Sequence, residues 1–170
     1  SEHEGASLPA SLTSRGQVWT VTVTPSDGEA EGAGAAASVN IENSAPVVTE
    51  VLLEPAAAYE SSVLEASVVV ADDDDDPIEL TYSWSVDGAV VLEGVDDSLT
   101  GEHFDKGQQV SVLVTPSDGF VDGEAVSSDP VTILNSLPSI ADVQIDPQPC
   151  FEASIVSCVP SGWSDEDGDA

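Results

Sequence analysis

A run of five aspartates at residues 72–76 is the part of this sequence whose residue types most clearly suggest chemistry. Neighbouring carboxylates repel one another, and a bound cation would offset that repulsion. Ca²⁺ accepts about six to eight oxygen ligands in flexible geometry, which suits alternating aspartates in a loop. The sequence therefore predicts calcium ligands at Asp72, Asp74 and Asp76, while a solvated acidic loop in an acidic protein is the simpler alternative.

A second acidic segment near residue 165 supports the same interpretation. Asp165, Asp167 and Asp169 keep the alternating spacing, whereas Glu166 and Gly168 stand between them. An EF-hand is not indicated, because its glycine and closing glutamate are missing and a strand-like segment follows residue 76. We expect Asp165, Asp167 and Asp169 to bind a second Ca²⁺.

No other residues form a convincing reactive group. His3 and His103 are isolated, and the sequence has no Gly-x-Ser-x-Gly motif from which a nucleophile could be inferred. Trp19 and Trp84 lie on alternating apolar segments, so a position in the core is favoured over a sugar-binding platform. We therefore expect no enzymatic activity.

Composition indicates a folded, β-rich chain. The 170 residues contain 2 Lys+Arg and 33 Asp+Glu, a net charge of −31. Such a surface would repel nucleic acid and anionic membranes. Valine occurs 24 times, against 11 leucines and 6 isoleucines, and β-branched residues favour strands. No apolar run approaches the roughly 18 residues of a membrane span.

An internal repeat is the strongest organisational signal. Residues 15–28 (RGQVWTVTVTPSDG) align with residues 106–119 (KGQQVSVLVTPSDG), and nine of the fourteen positions are identical. The linkers NSAP (43–46) and NSLP (135–138) match at an offset of 92. The period predicts three units: the back half of a repeat at 1–45, a complete repeat at 46–137 and the front half of a third at 138–170. We expect the parent chain to continue in both directions.

Alternating apolar residues and turn signals predict seven strands in the complete repeat. The clearest is the segment in which Leu80, Tyr82, Trp84 and Val86 alternate with small polar residues. Seven short strands in about 90 residues, with a Trp on the third, indicate a two-sheet immunoglobulin-like (Ig-like) sandwich. The predicted strands are 47–54, 62–70, 79–86, 89–93, 98–104, 108–115 and 125–134.

The order of these motifs resembles the tandem PKD-like or cadherin-like Ig-fold repeats of bacterial secreted and surface proteins. It comprises a proline-led first strand, an Asp-rich loop before Tyr-Ser-Trp, the segment Val-Thr-Pro-Ser-Asp-Gly and a closing Asn-Ser-x-Pro. The resemblance covers the whole chain. It implies an extracellular stalk, adhesin or surface fibre, and the alternative is an accessory or carbohydrate-binding module of a secreted hydrolase. The expected partners are neighbouring repeats or further copies of the protein, with surface glycans or proteins as other candidates.

The sandwich topology adds one more ligand candidate. Asp118 lies in the turn between the last two strands, which should approach residues 72–76 at one end of the sandwich. That end should also face Asn43 and Ser44 of the preceding linker. Asp118 is therefore predicted as a further calcium ligand, although Asp-Gly is also ordinary turn chemistry.

The two cysteines leave their pairing open. Cys158 lies in the predicted second strand of the third unit, and Cys150 lies just before that strand. A local Cys150–Cys158 bridge is slightly favoured over separate partners. Either arrangement would fit an oxidising, extracellular setting.

Overall fold

The valine-rich, alternating segments form β-strands, and the computed structural model, which describes residues 5–168, is all-β. Its helical content in this range is limited to 3₁₀ turns at Ala10–Leu12 and Gly101–His103. No helix among the described residues is long and apolar enough to cross a membrane. The strands are β1 (Val18–Val23), β2 (Ala35–Asn40), β3 (Val47–Glu54), β4 (Ala58–Tyr59), β5 (Val63–Ala71), β6 (Glu79–Val86), β7 (Ala89–Gly94), β8 (Ser98–Thr100), β9 (Gln109–Ser117), β10 (Val126–Ser127), β11 (Val131–Leu134), β12 (Ser139–Asp146) and β13 (Ser157–Ser164).

Two sheets form within residues 46–137. One has the strand order β3–β5–β8, and the other has the order β4–β11–β9–β6–β7, with β10 also paired to β9. Neighbouring strands are antiparallel except for β4 and β11, which are parallel. The loop from β5 to β6 and the turn after β9 carry the acidic residues of interest.

One hydrophobic core joins these two sheets. Alternation places Val110, Val112 and Val114 of β9 inside, and all three are fully buried. Trp84 of β6 is also fully buried, and its indole N–H donates a hydrogen bond of 3.1 Å to the carbonyl oxygen of Asp96. The prediction that Trp84 lies in the core is therefore confirmed.

The predicted strands differ from the observed ones mainly near residues 98–134. The predicted strand 98–104 ends at Thr100 and continues as the 3₁₀ turn, and the predicted strand 125–134 is divided into β10 and β11. Pro130 lies at this division, where its missing N–H removes a donor from the sheet. The two-residue strand β4 was not predicted.

Two-stranded sheets flank residues 46–137. β1 pairs with β2, and β12 pairs with β13, in both cases antiparallel. The turn after β1 is the same as the turn after β9: the amide of Gly32 donates to Pro25 O at 2.8 Å, and the amide of Gly123 donates to Pro116 O at 2.8 Å. Local hydrogen bonds thus recur with the offset at which the sequence repeats.

The expected local disulfide is not formed. Cys150 and Cys158 are both free and exposed. Cys158 is opposite Ile145 inside the β12–β13 pair, whereas the thiol of Cys150 contacts Pro147 O at 2.6 Å in the connection after β12. The two thiols therefore have separate surroundings.

Because Trp84 fills the centre of the core, Trp84→Ala should lower the free energy of unfolding by about 3–5 kcal/mol. Denaturant titration measures this change. Val95→Ala is the matched control, because Val95 is 77% exposed and its truncation should change stability by less than about 0.5 kcal/mol. A loss below about 1 kcal/mol for Trp84→Ala would contradict its assignment to the core.

Candidate metal centre

The β5–β6 loop folds around the side chain of Asp72. Its Oδ1 accepts hydrogen bonds from the amides of Asp74 at 2.7 Å and Asp76 at 3.4 Å. Asp75, with φ of 58°, makes the left-handed turn between them. As a result, three carboxylates come together, those of Asp72, Asp74 and Asp76. One oxygen atom from each lies within 4.8 Å of the other two. This triad could hold a metal ion.

The linker that precedes β3 docks directly on this loop. The amide of Ser44 donates to Asp74 Oδ2 at 2.6 Å, and Asn43 Nδ2 donates to Asp118 Oδ2 at 2.7 Å. Pro46 is fully buried. A Cβ at Gly123 would lie only 1.9 Å from Pro46 O, so glycine is needed there for the linker to pass. The linker is thereby held between the loop after β5 and the turn after β9.

Asp118 is buried beside the linker, but its two carboxylate oxygens are occupied. Oδ2 accepts from Asn43, while Oδ1 accepts from the amides of Phe120 and Val121, each at 2.7 Å. The Asn43 hydrogen bond and then these amides hold the pKa of Asp118 below its usual value. The structure therefore places Asp118 beside the linker and outside the triad of Asp72, Asp74 and Asp76, in a position that orients Asn43.

Arg15, which lies before β1, contributes positive charge at this junction. Its guanidinium forms an ion pair of 2.9 Å with Asp76 Oδ1 and lies 3.6 Å from the centre of the Phe120 ring. Reasoning from the sequence missed this contact. A signal was nevertheless available, because Arg15 and Lys106 are the only Lys or Arg residues of the chain and occupy matching positions of the repeat.

Three buried oxygen atoms at the junction have no hydrogen-bond donor: Asn43 Oδ1, Asp72 Oδ2 and Asp76 Oδ2. Buried polar atoms are nearly always paired, so such oxygens require a compensating group. Each Ca–O distance is about 2.3–2.6 Å, so two oxygens on one Ca²⁺ lie at most about 5 Å apart. The spacing within the triad fits that limit.

The same arrangement recurs at the next linker. The amide of Ser136 donates to Asp167 Oδ2 at 2.6 Å, and the amide of Asp167 donates to Asp165 Oδ1 at 2.9 Å. Ser136 Oγ and Asp167 Oδ1 are buried without a partner. Lys106 Nζ lies 3.3 Å from Asn135 Oδ1, so the second basic residue also reaches a linker. Asp169, the third ligand predicted here, lies outside the described residues, as does His3.

The chain matches no protein-family model, no curated protein and no solved structure. The other tryptophans differ from Trp84 in burial: Trp19 is half-buried, and Trp163 is 57% exposed.

Asp118→Asn should lower the free energy of unfolding, because it removes the charge that accepts the Asn43 and amide hydrogen bonds. The pKa of Asp118 is lowered in the folded state, so its contribution is complete above the ordinary Asp pKa of about 3.9. That contribution disappears as the pH falls through the folded-state pKa. The stability difference between wild type and Asp118→Asn should therefore be largest near neutral pH and shrink in acid.

Denaturant titrations at several pH values measure this difference. Asp27→Asn is the matched comparison, because Asp27 closes the equivalent turn through the amides of Glu29 and Ala30 and its pKa is also lowered. It should lose stability with the same pH dependence but by less than Asp118→Asn, because Asp118 also accepts the Asn43 hydrogen bond. A difference for Asp118→Asn that does not vary with pH would contradict the assigned role.

Proposed function

We propose that this chain is a structural segment of a long extracellular repeat protein, a stalk, adhesin or surface fibre. In this proposal, Ca²⁺ in the acidic loops stiffens the junctions between tandem Ig-like repeats. The observation that carries the proposal is the recurrence of one junction. A linker serine amide donates to a loop aspartate at 2.6 Å both at Ser44–Asp74 and at Ser136–Asp167, and each junction contains buried oxygens without donors.

The strand order supports an Ig-like repeat for residues 46–137. One sheet contains the first, second and fifth predicted strands (β3, β5 and β8), and the other contains β11, β9, β6 and β7. This is the division of strands between the sheets of an immunoglobulin-like sandwich. The β5–β6 loop and the turn after β9 lie at one end, where both contact the preceding linker.

Calcium suits the donor set better than magnesium. The available atoms are carboxylate and amide oxygens on a loop and a linker, and Ca²⁺ tolerates such irregular, high-coordination sets. Mg²⁺ demands near-octahedral geometry and retains several of its waters. Asp72 and Asp76 would supply carboxylate oxygens, and Asn43 would supply its amide oxygen. Asp74 would both bind the ion and hold Ser44.

A cation at this position would connect two consecutive units. Asn43 and Ser44 end the preceding unit, whereas Asp72 and Asp76 belong to the complete unit. Arg15 already pairs with Asp76 through the other carboxylate oxygen, so the ion and the guanidinium would share one carboxylate. Bending at the linker would then require breaking both contacts.

The acidic composition of the chain and the calcium affinity typical of extracellular modules support a location outside the cell. A chain with a net charge of −31 would be repelled by nucleic acid and by anionic lipid surfaces. Calcium sites of extracellular modules operate at dissociation constants of about 10⁻⁴–10⁻³ M. We accordingly propose a secreted or cell-surface protein, whose partners are neighbouring repeats, further copies or surface glycans and proteins.

Calcium should raise the melting temperature of the chain, and magnesium should do so poorly. An ion that binds only the folded state adds about 2.7 kcal/mol of stability at a free concentration of ~100 times its dissociation constant. Thermal melts in Ca²⁺, Mg²⁺ and EDTA at matched ionic strength measure the effect. Equal melting temperatures in the three conditions would refute calcium binding.

Substitutions locate the ion. Asp72→Asn and Asp76→Asn should each reduce the rise in melting temperature that calcium causes. Asp73→Asn removes the same charge from an exposed position outside the triad. This variant should keep the calcium-dependent rise in melting temperature. If all three variants behaved alike, the effect would come from general screening of acidic charge.

Hydrogen exchange tests whether calcium acts at the junctions. Calcium should slow exchange of the Ser44 and Ser136 amides, because both donate to loop aspartates that the ion would immobilise. In Asp72→Asn, protection at Ser44 should be lost while protection at Ser136 remains, because the second loop is intact. Calcium-dependent protection confined to residues 72–76 would indicate an ion that does not stiffen the linker.

A further inference from the structure

The two linkers are each approached by a Lys or Arg side chain, but only one of these side chains reaches the linker asparagine. Arg15 and Lys106 occupy matching positions of the repeat. The guanidinium of Arg15 donates to Asp76 Oδ1 at 2.9 Å. The ammonium of Lys106 instead donates to the amide oxygen of a linker residue, Asn135 Oδ1, at 3.3 Å.

The two linker asparagines make the same local hydrogen bond. Asn43 Nδ2 donates to the carbonyl oxygen of Ser44, and Asn135 Nδ2 donates to the carbonyl oxygen of Ser136. Their amide oxygens nevertheless differ. Asn43 Oδ1 is buried and accepts no hydrogen bond within the described residues, whereas Asn135 Oδ1 accepts from Lys106. The contact that distinguishes the two oxygens is therefore the one to the lysine.

Two contacts fix the guanidinium of Arg15. It pairs with Asp76 Oδ1 and lies 3.6 Å from the centre of the Phe120 ring. A planar guanidinium stacks on an aromatic ring while its N–H groups bind a carboxylate, and a lysine ammonium on its flexible stem lacks this geometry. In Arg15→Lys, the ammonium would not be held on the ring in the same way. It would be able to hydrogen-bond to Asn43 Oδ1, as Lys106 does to the other linker asparagine.

The unpaired oxygen of Asn43 matters because the proposed calcium site uses it. Asp72 Oδ2 and Asp76 Oδ2 are the other buried oxygens without a donor at this linker. An ammonium bound to one of these three atoms occupies an oxygen that calcium needs as a ligand. The guanidinium of Arg15, bound to Asp76 Oδ1, leaves all three oxygens available.

We propose that Arg15 sets the calcium affinity of the loop at 72–76, because its pairing with Asp76 and Phe120 leaves Asn43 Oδ1 free for the ion. Arg15 is a positioning residue, which contacts a calcium ligand and does not itself bind the ion. The inference rests on the proposed calcium site and describes how that site is tuned. It implies that lysine in place of this arginine lowers calcium affinity although the charge is unchanged.

A calcium titration followed by NMR tests this role at the 72–76 loop alone. The amides of Ser44 and Asp75 report on it, because they donate to Asp74 Oδ2 and to the carbonyl oxygen of Asp72. Arg15→Lys should raise the dissociation constant by about two- to tenfold, the range that one net hydrogen bond spans. Arg15→Met removes the charge and adds no donor, so it should bind calcium at least as tightly as wild type.

The order of the three affinities distinguishes this proposal from simple charge repulsion. Repulsion alone would give wild type and Arg15→Lys the same dissociation constant, because both carry one positive charge at this position, and that result would overturn the role of Arg15 while leaving the calcium site in place. If the amides of wild type did not respond to calcium, the proposed calcium site would be wrong, and this inference would be wrong with it.

The side-chain amide of Asn43 gives a readout that needs no calcium. In EDTA, its NMR signals should shift in Arg15→Lys, because a hydrogen bond to Oδ1 polarises the amide. They should stay close to those of wild type in Arg15→Met. Signals of Asn43 that match wild type in Arg15→Lys would overturn the proposed contact.

A double-mutant cycle assigns the effect on affinity to Asn43. The Asn43→Ala background lacks the amide oxygen, so adding Arg15→Lys there should no longer raise the dissociation constant. If Arg15→Lys weakened calcium binding equally in both backgrounds, the lysine would act at another atom of the loop, and the proposal would be overturned.

Discussion

The compensation of negative charge is the constraint on which the junctions depend. Carboxylates must lie close together at each linker, yet the chain has only two Lys or Arg side chains. Neutral donors satisfy part of this requirement: the amides of Ser44 and Ser136 point at loop aspartates, and the Asn43 side chain points at Asp118. Donors of this kind stabilise a carboxylate without adding a cation. The buried oxygens that receive no such hydrogen bond mark the position at which a bound cation would stabilise the junction most.

The core makes this arrangement of donors possible. The linker can meet the acidic loop only because β3 starts beside Gly123, where a side chain would collide with Pro46 O. The loop itself is anchored by β5 and β6, which contribute Leu64 and Trp84 to the core as fully buried side chains. Packing therefore fixes the ends of the loop and of the linker. The hydrogen bonds between them then hold the linker in one position on the loop.

Local patterns predicted much of this structure, and long-range contacts account for what they missed. Alternation located β3 and β6 to the residue, and charge density located the triad Asp72, Asp74 and Asp76. The role of Asp118 was only partly predictable: topology indicated its position, but its occupied oxygens depend on an asparagine 75 residues away. The Arg15–Asp76 pair spans 61 residues, and no pattern of neighbouring residues encodes it. The free cysteines likewise reflect their surroundings in the fold, which spacing alone does not specify.

The comparison of the two acidic loops separates the required aspartates from the others. Asp72 and Asp74 match Asp165 and Asp167, and these four side chains make the hydrogen bonds that shape each loop. The residue that follows Asp74 and the one that follows Asp167 both adopt left-handed backbone, with φ of 58° and 73°. One is Asp75 and the other is Gly168, and glycine adopts this conformation without steric cost. The loop shape thus follows from the engaged aspartates and the linker amide, since it persists where an aspartate of the run is replaced by glycine.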